Sequence, residues 1–400
     1  MKRSRRLAMA ASAVLACTLA LPIASTSVAA ASAVPSSASS AASGAEPASG
    51  SASRSASAVL PRPTGPHAVG RDTLHLVDTG RRDPWVPSAG PRQLMVSMYY
   101  PARPGTGAAR APYMTTEEAR LLLRLRAPEA TVAPEVISGV RTWSHTDARP
   151  LHGRYPLLVL SPGFTFPRAT LTGLAEDLAS RGYVVALVDH PYENAGTTLP
   201  DGTTLPCAIC DELPEGGPAT VAASRAVDLS FVLDRLTGRH PAWRYARMID
   251  PGRIGMGGHS IGGAATAATM AADARVRAGM NMDGTFFVPV PDSGLGGRPF
   301  LMLGATDRTA DETWDRTWAQ LDGWKRWLTV SGADHGSFTD VPLLAELAGI
   351  PDSAPLPFER GETLTRAYVA AFFDRHLKGL DRPLLDGPSP ANPEVSVRVP

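Results

Sequence analysis

The sequence has little lysine, little cysteine and almost no net charge. Only three of its 39 basic residues are lysines, and the formal net charge of the 400 residues is +1. Nucleic acid binding needs a basic surface that follows phosphates, and this composition offers none once the basic N-terminus is set aside. Three cysteines are too few for a disulfide-stapled scaffold. With 44% hydrophobic residues, the chain indicates a globular protein with a sizeable core and no nucleic acid partner.

The first 33 residues have the pattern of an export signal. Basic residues at the start precede an apolar run from Leu7 to about Ala24, and small residues of the Ala-x-Ala type follow. A membrane anchor is the alternative, but the run is rich in alanine, is interrupted by Pro22 and has no stop-transfer charges after it. We therefore predict a signal peptide over residues 1–33 and a secreted, extracellular protein, exported by the Sec or the twin-arginine route.

Residues 34–66 consist almost entirely of Ser, Ala, Gly and Pro. A segment of this composition buries too little apolar surface to offset the conformational entropy that ordering costs, so we predict a disordered linker. The remaining residues, 67–400, contain no low-complexity gap and no internal repeat, which favours one large domain.

Short apolar runs alternate with longer helical patterns along this domain. Leu157–Leu160 is typical of a buried strand, and Tyr183–Val188 of the next one. Between them apolar residues recur at helical spacing, and Gly182 ends the helix. This alternation predicts an α/β fold with a mostly parallel central sheet and helices on both faces.

A Gly-x-Ser-x-Gly motif lies between a strand and a helix. The residues from Gly258 to Gly262, with Ser260 at their centre, follow the strand that begins at Arg253 and open an Ala-rich helix. This is the context that a nucleophile elbow requires. Since the glycines leave room for the sharp turn and the helix N-terminus faces the hydroxyl, we predict Ser260 as a nucleophile.

A serine nucleophile needs a base, and in this architecture the acid and the base follow the serine along the chain. Only His335 and His376 follow Ser260. His376 lies in an amphipathic helix, which favours a surface role, whereas His335 lies in a glycine-bounded loop directly after a strand. We therefore predict His335 as the base, and His259, next to the nucleophile, as a packing residue.

Two aspartates compete for the role of the acid that orients the imidazole. Asp283 and Asp307 each follow a strand, at the edge of the sheet where ligand-facing residues collect. Asp283 has apolar neighbours on both sides, so its carboxylate needs a buried partner. Asp307 is followed by Arg308 and suits a turn or helix cap. We predict Asp283 as the acid and keep Asp307 as the alternative.

Acyl transfer also needs hydrogen-bond donors for the oxyanion. One is expected to be the backbone N–H of Ile261, directly after the nucleophile. The other is expected in the loop after the strand that ends at Leu160, where Pro162-Gly163-Phe164 turns the chain toward the site. We predict the N–H of Phe164, with an ordinary Pro-Gly turn as the alternative.

These motifs resemble the platelet-activating factor acetylhydrolase family of α/β-hydrolases. The resemblance rests on residues 253–284, which contain Gly-His-Ser-Ile-Gly-Gly-Ala and the pair Met-Asp near their end, and it extends to Met98–Ala102 and Leu174–His190. In that family the acid follows the serine by 23 residues, as Asp283 follows Ser260. The resemblance implies an α/β-hydrolase catalytic domain over residues 67–400, with Ser-His-Asp acyl transfer. Such a mechanism requires no metal or organic cofactor.

A second part of the sequence resembles secreted actinobacterial cutinases and polyester hydrolases. This likeness rests on Leu160–Thr165 and Leu178–Val185. It implies Asp307 as the acid and long or polymeric substrates. Both families place an oxyanion N–H at the position of Phe164.

Three further features bear on the substrate. A capping box at Thr115–Glu118 begins a helix whose leucines are either core residues or a lipid-contacting lid; they are Leu121, Leu122, Leu123 and Leu125. Five phenylalanines next to predicted catalytic positions line an acyl pocket or belong to the core: Phe164, Phe166, Phe286, Phe287 and Phe338. Cys207 and Cys210 are expected to form a disulfide, because two nearby cysteines in an exported protein usually pair. A zinc site is the alternative, but it would need two more ligands that the sequence does not offer.

These observations predict a secreted, monomeric serine esterase for short-chain acyl esters or for acetyl esters of lipids and phospholipids. A lipase or polyester hydrolase that uses Asp307 is the alternative. A peptidase and a non-catalytic binding protein on the same fold are further alternatives with less support from the sequence. The expected partner is a small ester or lipid, with transient contact to a lipid surface.

Overall fold

The computed structural model describes residues 58–351 and 353–400. The predicted signal peptide and the predicted linker up to residue 57 lie outside this part of the chain. Residues 58–66 pack on the domain, since Leu60 is buried and donates its N–H to the carbonyl oxygen of Arg141 at 3.0 Å. Thr64 donates its N–H to Asp177 at 2.8 Å. The predicted linker therefore extends too far, because these few residues find partners that the composition of the segment does not reveal.

The strands of the described part of the chain are β1 Ala68–Arg82, β2 Pro91–Ala102, β3 His145–Thr146, β4 Tyr155–Ser161, β5 Val184–Asp189, β6 Gly196–Thr198, β7 Thr204–Pro206, β8 Ile249–His259, β9 Val276–Met282, β10 Phe300–Ala305, β11 Lys325–Val330 and β12 Val395–Arg398. The α-helices are α1 Thr116–Arg126, α2 Pro134–Ser138, α3 Thr172–Ser180, α4 Gly217–Thr237, α5 Ile261–Ala272, α6 Glu312–Gln320, α7 Val341–Leu347 and α8 Phe358–Lys378. None of the helices found there has the length and apolar character needed to cross a membrane.

Ten of these strands form one sheet, in the order β12-β11-β10-β9-β8-β4-β5-β2-β1-β3. The six strands from β11 to β5 run parallel to one another. On one side β2 runs antiparallel to β5 and to β1, and on the other β12 runs antiparallel to β11. The prediction of a mostly parallel central sheet is therefore confirmed.

Helices cover both faces of this sheet, as predicted. Along β4, Leu157 and Val159 point into one core, while Leu158 and Leu160 point into the other. Residues of α4, α5 and α6 complete the first core, and residues of α3 and α8 complete the second. Burial on both sides explains why the central strands are continuous apolar runs instead of alternating patterns.

The parallel strands bring three loops to one edge of the sheet. Because β8, β9 and β11 run in the same direction, the residues that follow them lie at the same, carboxyl-terminal edge. Ser260 follows β8, Asp283 follows β9, and His335 lies in the loop after β11. The topology thus gathers the predicted nucleophile, acid and base.

Candidate active site

Ser260 forms the sharp turn between β8 and α5. Its φ of 55° and ψ of −126° are unusual for a residue with a side chain. Two backbone hydrogen bonds hold the turn, from the N–H of Ser260 to the oxygen of Met282 at 2.8 Å and from the N–H of Gly263 to the oxygen of Ser260 at 2.9 Å. A Cβ atom on Gly262 would lie 2.1 Å from the carbonyl oxygen of Ser161, so only glycine fits there. The turn leaves Ser260 partly exposed at the sheet edge.

Asp283 and His335 are joined by a hydrogen bond of 2.5 Å between Oδ2 and Nδ1. The carboxylate is fully buried, while the imidazole side chain is 49% exposed. The other carboxylate oxygen, Oδ1, accepts the N–H of Ala305 at 2.8 Å and lies 3.5 Å from Nε of Arg308. Each carboxylate oxygen therefore has its own partner. This arrangement fixes the imidazole ring and leaves its outer nitrogen, Nε2, available for proton transfer.

Asp307, the alternative acid, lies elsewhere. The strand β10 ends at Ala305, and the turn that follows directs the side chain of Asp307 outward, where it is 63% exposed. Its carboxylate accepts a hydrogen bond from Arg308 at 2.8 Å. The structure thus brings Asp283 to His335 and leaves Asp307 in a surface ion pair.

His259 does more than fill space beside the elbow. Its side chain is buried, and its Nε2 lies 2.7 Å from the carbonyl oxygen of His335. Burial, with a contribution from the nearby His335, lowers the pKa of His259 to about 3. The neutral ring therefore donates Nε2–H to the backbone of His335 and anchors the loop that carries it. The prediction of a packing residue misses this hydrogen bond, because the bond joins residues that are 76 positions apart.

The loop after β4, Pro162-Gly163-Phe164, is called the oxyanion turn here after the role that the sequence predicts for it. The N–H of Phe164 has no acceptor among the described residues, whereas the next N–H, of Thr165, donates to the oxygen of Glu193 at 2.9 Å. Ile261 is the first residue of α5, so its N–H has no acceptor within the helix. A Cβ atom on Gly262 would lie 2.8 Å from the oxygen of Pro162, which shows that the turn packs on the elbow. Both predicted donors are therefore free and lie on adjoining segments.

A second Ser-His-Asp set lies buried beneath the oxyanion turn. Ser161 Oγ is 3.0 Å from His190 Nε2, and His190 Nδ1 is 2.8 Å from Asp228 Oδ2. Burial and the charge of Arg225 lower the pKa of His190, so the neutral ring accepts from the serine and donates to the carboxylate. All three residues are inaccessible to solvent. They cannot meet a substrate, and they instead fix the residue that precedes the turn.

Two buried arginines complete this network. Arg225 donates to the carbonyl oxygen of Pro162 at 2.5 Å and to Glu193 at 2.6 Å. Arg92 donates to Asp228 at 2.8 Å. Burial alone acts to raise the pKa of Asp228, but Arg92 and His190 outweigh it and hold that pKa well below its usual value. Charged hydrogen bonds from buried arginines therefore fix the position of the oxyanion turn, and no motif of the sequence indicates them.

The same network has the spacing of a metal site. His190, Glu193 and Asp228 offer ligand atoms within 4.8 Å of one another. Both carboxylates, however, already accept hydrogen bonds from Arg92 or Arg225. A metal cation would have to approach two guanidinium charges and displace them, so these residues fit the positioning of the turn better than the binding of a metal.

The structure also shows where the remaining residues singled out in the sequence lie. Cys207 and Cys210 form a disulfide, as predicted. His376 is half-buried and packs against the rings of Trp324 and Phe372, with centroid distances of 4.5 and 5.0 Å. Of the five phenylalanines, Phe286 and Phe338 belong to the core, Phe164 and Phe166 are half-buried at the oxyanion turn, and Phe287 is exposed. The capping box of α1 is present, and Leu121 and Leu122 are core residues.

Two cavities are lined in part by α1, one at its N-terminal end and one at its C-terminal end. One, of about 350 Å³, is lined by polar and charged groups that include Arg71, Glu118 and Arg168, and it contains none of the predicted catalytic residues. The other, of about 120 Å³, is apolar and includes Phe166 and Val341. This cavity contains none of the predicted catalytic residues either, but Phe166 and Val341 belong to the segments that follow the oxyanion turn and His335.

Comparisons with known proteins agree with an esterase. Residues 52–201 and 236–348 match the family model described as platelet-activating factor acetylhydrolase, isoform II. A protein of Arthroderma benhamiae named "Probable 1-alkyl-2-acetylglycerophosphocholine esterase" is 31% identical over 85% of this chain and 94% of its own. The structure of a ferulic acid esterase from Streptomyces cinnamoneus is 45% identical, covers 86% of this chain and 99% of its own, and has a TM-score of 0.77. A bis(hydroxyethyl) terephthalate hydrolase from Streptomyces coelicolor is 33% identical over 28% of each chain.

The resemblances noted in the sequence are thereby confirmed. The family match covers more than half of the chain, and the fungal relative is similar along most of both sequences. The sheet order, the elbow after β8 and the esterase structure of similar fold agree with this match. The chain therefore belongs to the platelet-activating factor acetylhydrolase isoform II family and is a carboxylic ester hydrolase with the α/β-hydrolase fold.

Proposed function

We propose that this protein is a secreted serine esterase that cleaves short acyl esters, including acetyl esters of lipids, through Ser260, His335 and Asp283. One observation carries the proposal. A buried carboxylate, Asp283, binds Nδ1 of a half-exposed imidazole, His335, at the sheet edge where the strained elbow presents Ser260. That is the arrangement by which an imidazole activates a hydroxyl group.

The proposed reaction has two halves. Ser260 Oγ attacks the carbonyl carbon of the ester while Nε2 of His335 takes the hydroxyl proton, and the N–H groups of Phe164 and Ile261 stabilise the oxyanion. When the tetrahedral intermediate collapses, the leaving alcohol receives that proton and an acyl-Ser260 remains. A water molecule then attacks the acyl-enzyme, with His335 as the base, and releases the acid. Asp283 stabilises the imidazolium at both stages.

Secretion is part of the proposal. Its support is the export pattern of residues 1–33 and the disulfide between Cys207 and Cys210, since disulfides persist in oxidising surroundings. The preference for short acyl groups is supported by the match to the family described as platelet-activating factor acetylhydrolase, isoform II.

A second candidate is an esterase for aromatic acids. It is favoured by the ferulic acid esterase of Streptomyces cinnamoneus, which is 45% identical to this chain over 86% of its length. The alternative that uses Asp307 loses support, because the carboxylate of Asp307 is engaged by Arg308 at the surface.

The proposal is tested with the mature protein and its Ser260→Ala variant. Hydrolysis of p-nitrophenyl esters from acetate to palmitate, and of methyl ferulate, is measured beside labelling by a fluorophosphonate and mapping of the label by mass spectrometry. We expect turnover that is fastest for short chains and a label on Ser260, both lost in Ser260→Ala. A methyl ferulate rate far above every p-nitrophenyl ester would favour the second candidate. A wild-type protein that neither turns over nor reacts with the probe would refute the proposal.

A further inference from the structure

An apolar cavity of about 120 Å³ lies between α1 and α7. Helix α1 contributes its last two turns, α7 contributes one face, and the segment after the oxyanion turn contributes Phe166. Aliphatic side chains such as Leu122, Val341 and Leu344 form most of the wall. A single charged side chain, Arg126, occurs in this lining.

The cavity adjoins both loops of the candidate active site. A Cβ atom on Gly163, in the oxyanion turn, would lie 3.4 Å from the ring of Phe166. A Cβ atom on Gly336, next to His335, would lie 3.7 Å from Cγ1 of Val341. Two residues of the cavity wall therefore lie next to the oxyanion turn on one side and next to the loop of the base on the other.

The size of the cavity limits what it can hold. Apolar protein cavities of roughly 150 Å³ bind one benzene ring. A cavity of about 120 Å³ therefore suits a chain of roughly four carbons or a small ring. A fatty acyl chain is far larger and would extend into solvent.

Arg126 is the unusual member of this lining. Its guanidinium lies 5.0 Å from the ring centroid of Phe166, and its side chain reaches solvent at the C-terminal end of α1. One turn and a half earlier, Arg120 is bound by Glu117 at 2.8 Å. In residues 58–351 and 353–400, no carboxylate forms such a pair with Arg126, and partial burial lowers its pKa. Among the described residues, the guanidinium of Arg126 thus stands at the rim of an apolar cavity with no carboxylate paired to it.

We propose that this cavity is a substrate subsite for a short apolar group that ends in an anion, and that Arg126 binds the anion. The inference rests on the proposed function, since the subsite is defined relative to the ester bound at Ser260. Apolar walls take the carbon chain, and the guanidinium at the rim pairs with a carboxylate or phosphate. The protein would then prefer anionic esters to neutral esters of the same length.

The test compares matched pairs of esters. On the acyl side the pair is monoethyl adipate and ethyl hexanoate, and on the alcohol side it is 4-acetoxybutanoate and pentyl acetate. Hydrolysis is followed by acid release at constant pH for the wild type, Arg126→Gln, Arg126→Lys and Arg124→Gln, with Ser260→Ala as the blank. Arg124 is the matched control, because it is an exposed arginine in the same helical turn that does not line the cavity.

The measured quantity is the ratio of kcat/KM for the anionic ester to kcat/KM for its neutral partner. We expect Arg126→Gln to lower this ratio about five-fold on one side of the ester, since an exposed ion pair contributes up to ~1 kcal/mol. Arg126→Lys should keep most of the ratio, and Arg124→Gln should leave it unchanged. Added salt should lower the ratio of the wild type, because salt screens the attraction between Arg126 and the anionic end of the ester. It should leave the ratio of Arg126→Gln unchanged, since that variant has no charge at this position.

The outcomes separate the subsite from the function on which it rests. If the neutral esters are cleaved through Ser260 but Arg126→Gln leaves the ratio unchanged in both pairs, the subsite is refuted and the esterase mechanism stands. The subsite is likewise refuted if Arg124→Gln changes the ratio as much as Arg126→Gln does. If no ester is cleaved in a Ser260-dependent way, the proposed function fails and the subsite fails with it.

Discussion

The substitution Asp283→Asn tests the assignment of the acid most directly. In the wild type, Oδ1 accepts the N–H of Ala305 and Oδ2 binds Nδ1 of His335. An asparagine must keep its carbonyl oxygen on the Ala305 N–H, so its NH₂ group would face His335. The imidazole would then have to accept at Nδ1 and hold its proton on Nε2, where it could no longer take the proton of Ser260.

The structure sets the size of the effect. An amide flipped to restore the working tautomer would point NH₂ at the N–H of Ala305, in a fully buried place. Leaving that buried donor without an acceptor costs up to ~3 kcal/mol, which holds the flipped rotamer below about 1%. The neutral amide also fails to stabilise the imidazolium. We expect kcat to fall by about 10²-fold to 10⁴-fold.

The assay measures initial rates of p-nitrophenyl acetate hydrolysis, with thermal unfolding as the control for folding. Asp307→Asn is the matched variant, since its carboxylate is 63% exposed and paired only with Arg308, and its kcat should stay within about two-fold of the wild type. The reasoning is refuted if a folded Asp283→Asn protein keeps more than a tenth of the activity. It is equally refuted if Asp307→Asn loses as much.

Three further predictions concern stability. Burial holds the pKa of His259 at about 3 in the folded state against an ordinary 6.5. As the pH falls below 6.5, only the unfolded chain therefore takes up a proton at this histidine. Between pH 7.5 and pH 5, the free energy of unfolding of the wild type should drop by ~2 kcal/mol more than that of His259→Gln. Equal drops of the two proteins in urea titrations would contradict this. Arg225→Ala removes one of the two guanidinium charges that compensate buried Glu193, the other being that of Arg92. It should lower the free energy of unfolding by ~3 kcal/mol and also reduce kcat, and an unchanged urea midpoint would count against the network. The disulfide joins cysteines only three positions apart, so it closes a short loop and restricts the unfolded chain little. Replacing both Cys207 and Cys210 with serine should therefore lower the free energy of unfolding by roughly 2 kcal/mol at most. A larger decrease in the same urea titration would show another role for the segment.

The parts of the site that depend on local sequence could be predicted. The elbow at Ser260 is encoded by its two glycines and by the strand and helix on either side. The position of Asp283 beside His335 follows from the order of parallel strands and from the apolar neighbours of the carboxylate. Both inferences need only short stretches of chain and the rule that parallel strands end at one edge.

The parts that depend on distant contacts could not be predicted. The ordering of residues 58–66 depends on Arg141 and Asp177, which are about a hundred positions away. The bond from His259 to the backbone of His335 spans 76 positions, and the bond from Arg225 to Pro162 spans 63. No periodicity or motif of the sequence indicates such pairings, because each depends on how strands and helices stack in space.

The buried arginines tie the assembly of the oxyanion turn to the N-terminal hairpin of β1 and β2. Arg92 belongs to β2, and it reaches Asp228 in α4 across 136 positions of the chain. Contacts of such long range form late, because a large loop must close before they contribute any stability. The hydrogen bonds that hold the elbow span shorter stretches of chain, up to the 22 positions between Ser260 and Met282, so the elbow can form earlier during folding than the turn that completes it. The onset of esterase activity in a refolding experiment would thus mark the docking of the hairpin. A chain with an unpaired hairpin would hold Ser260 and the N–H of Ile261 without the N–H of Phe164 in place.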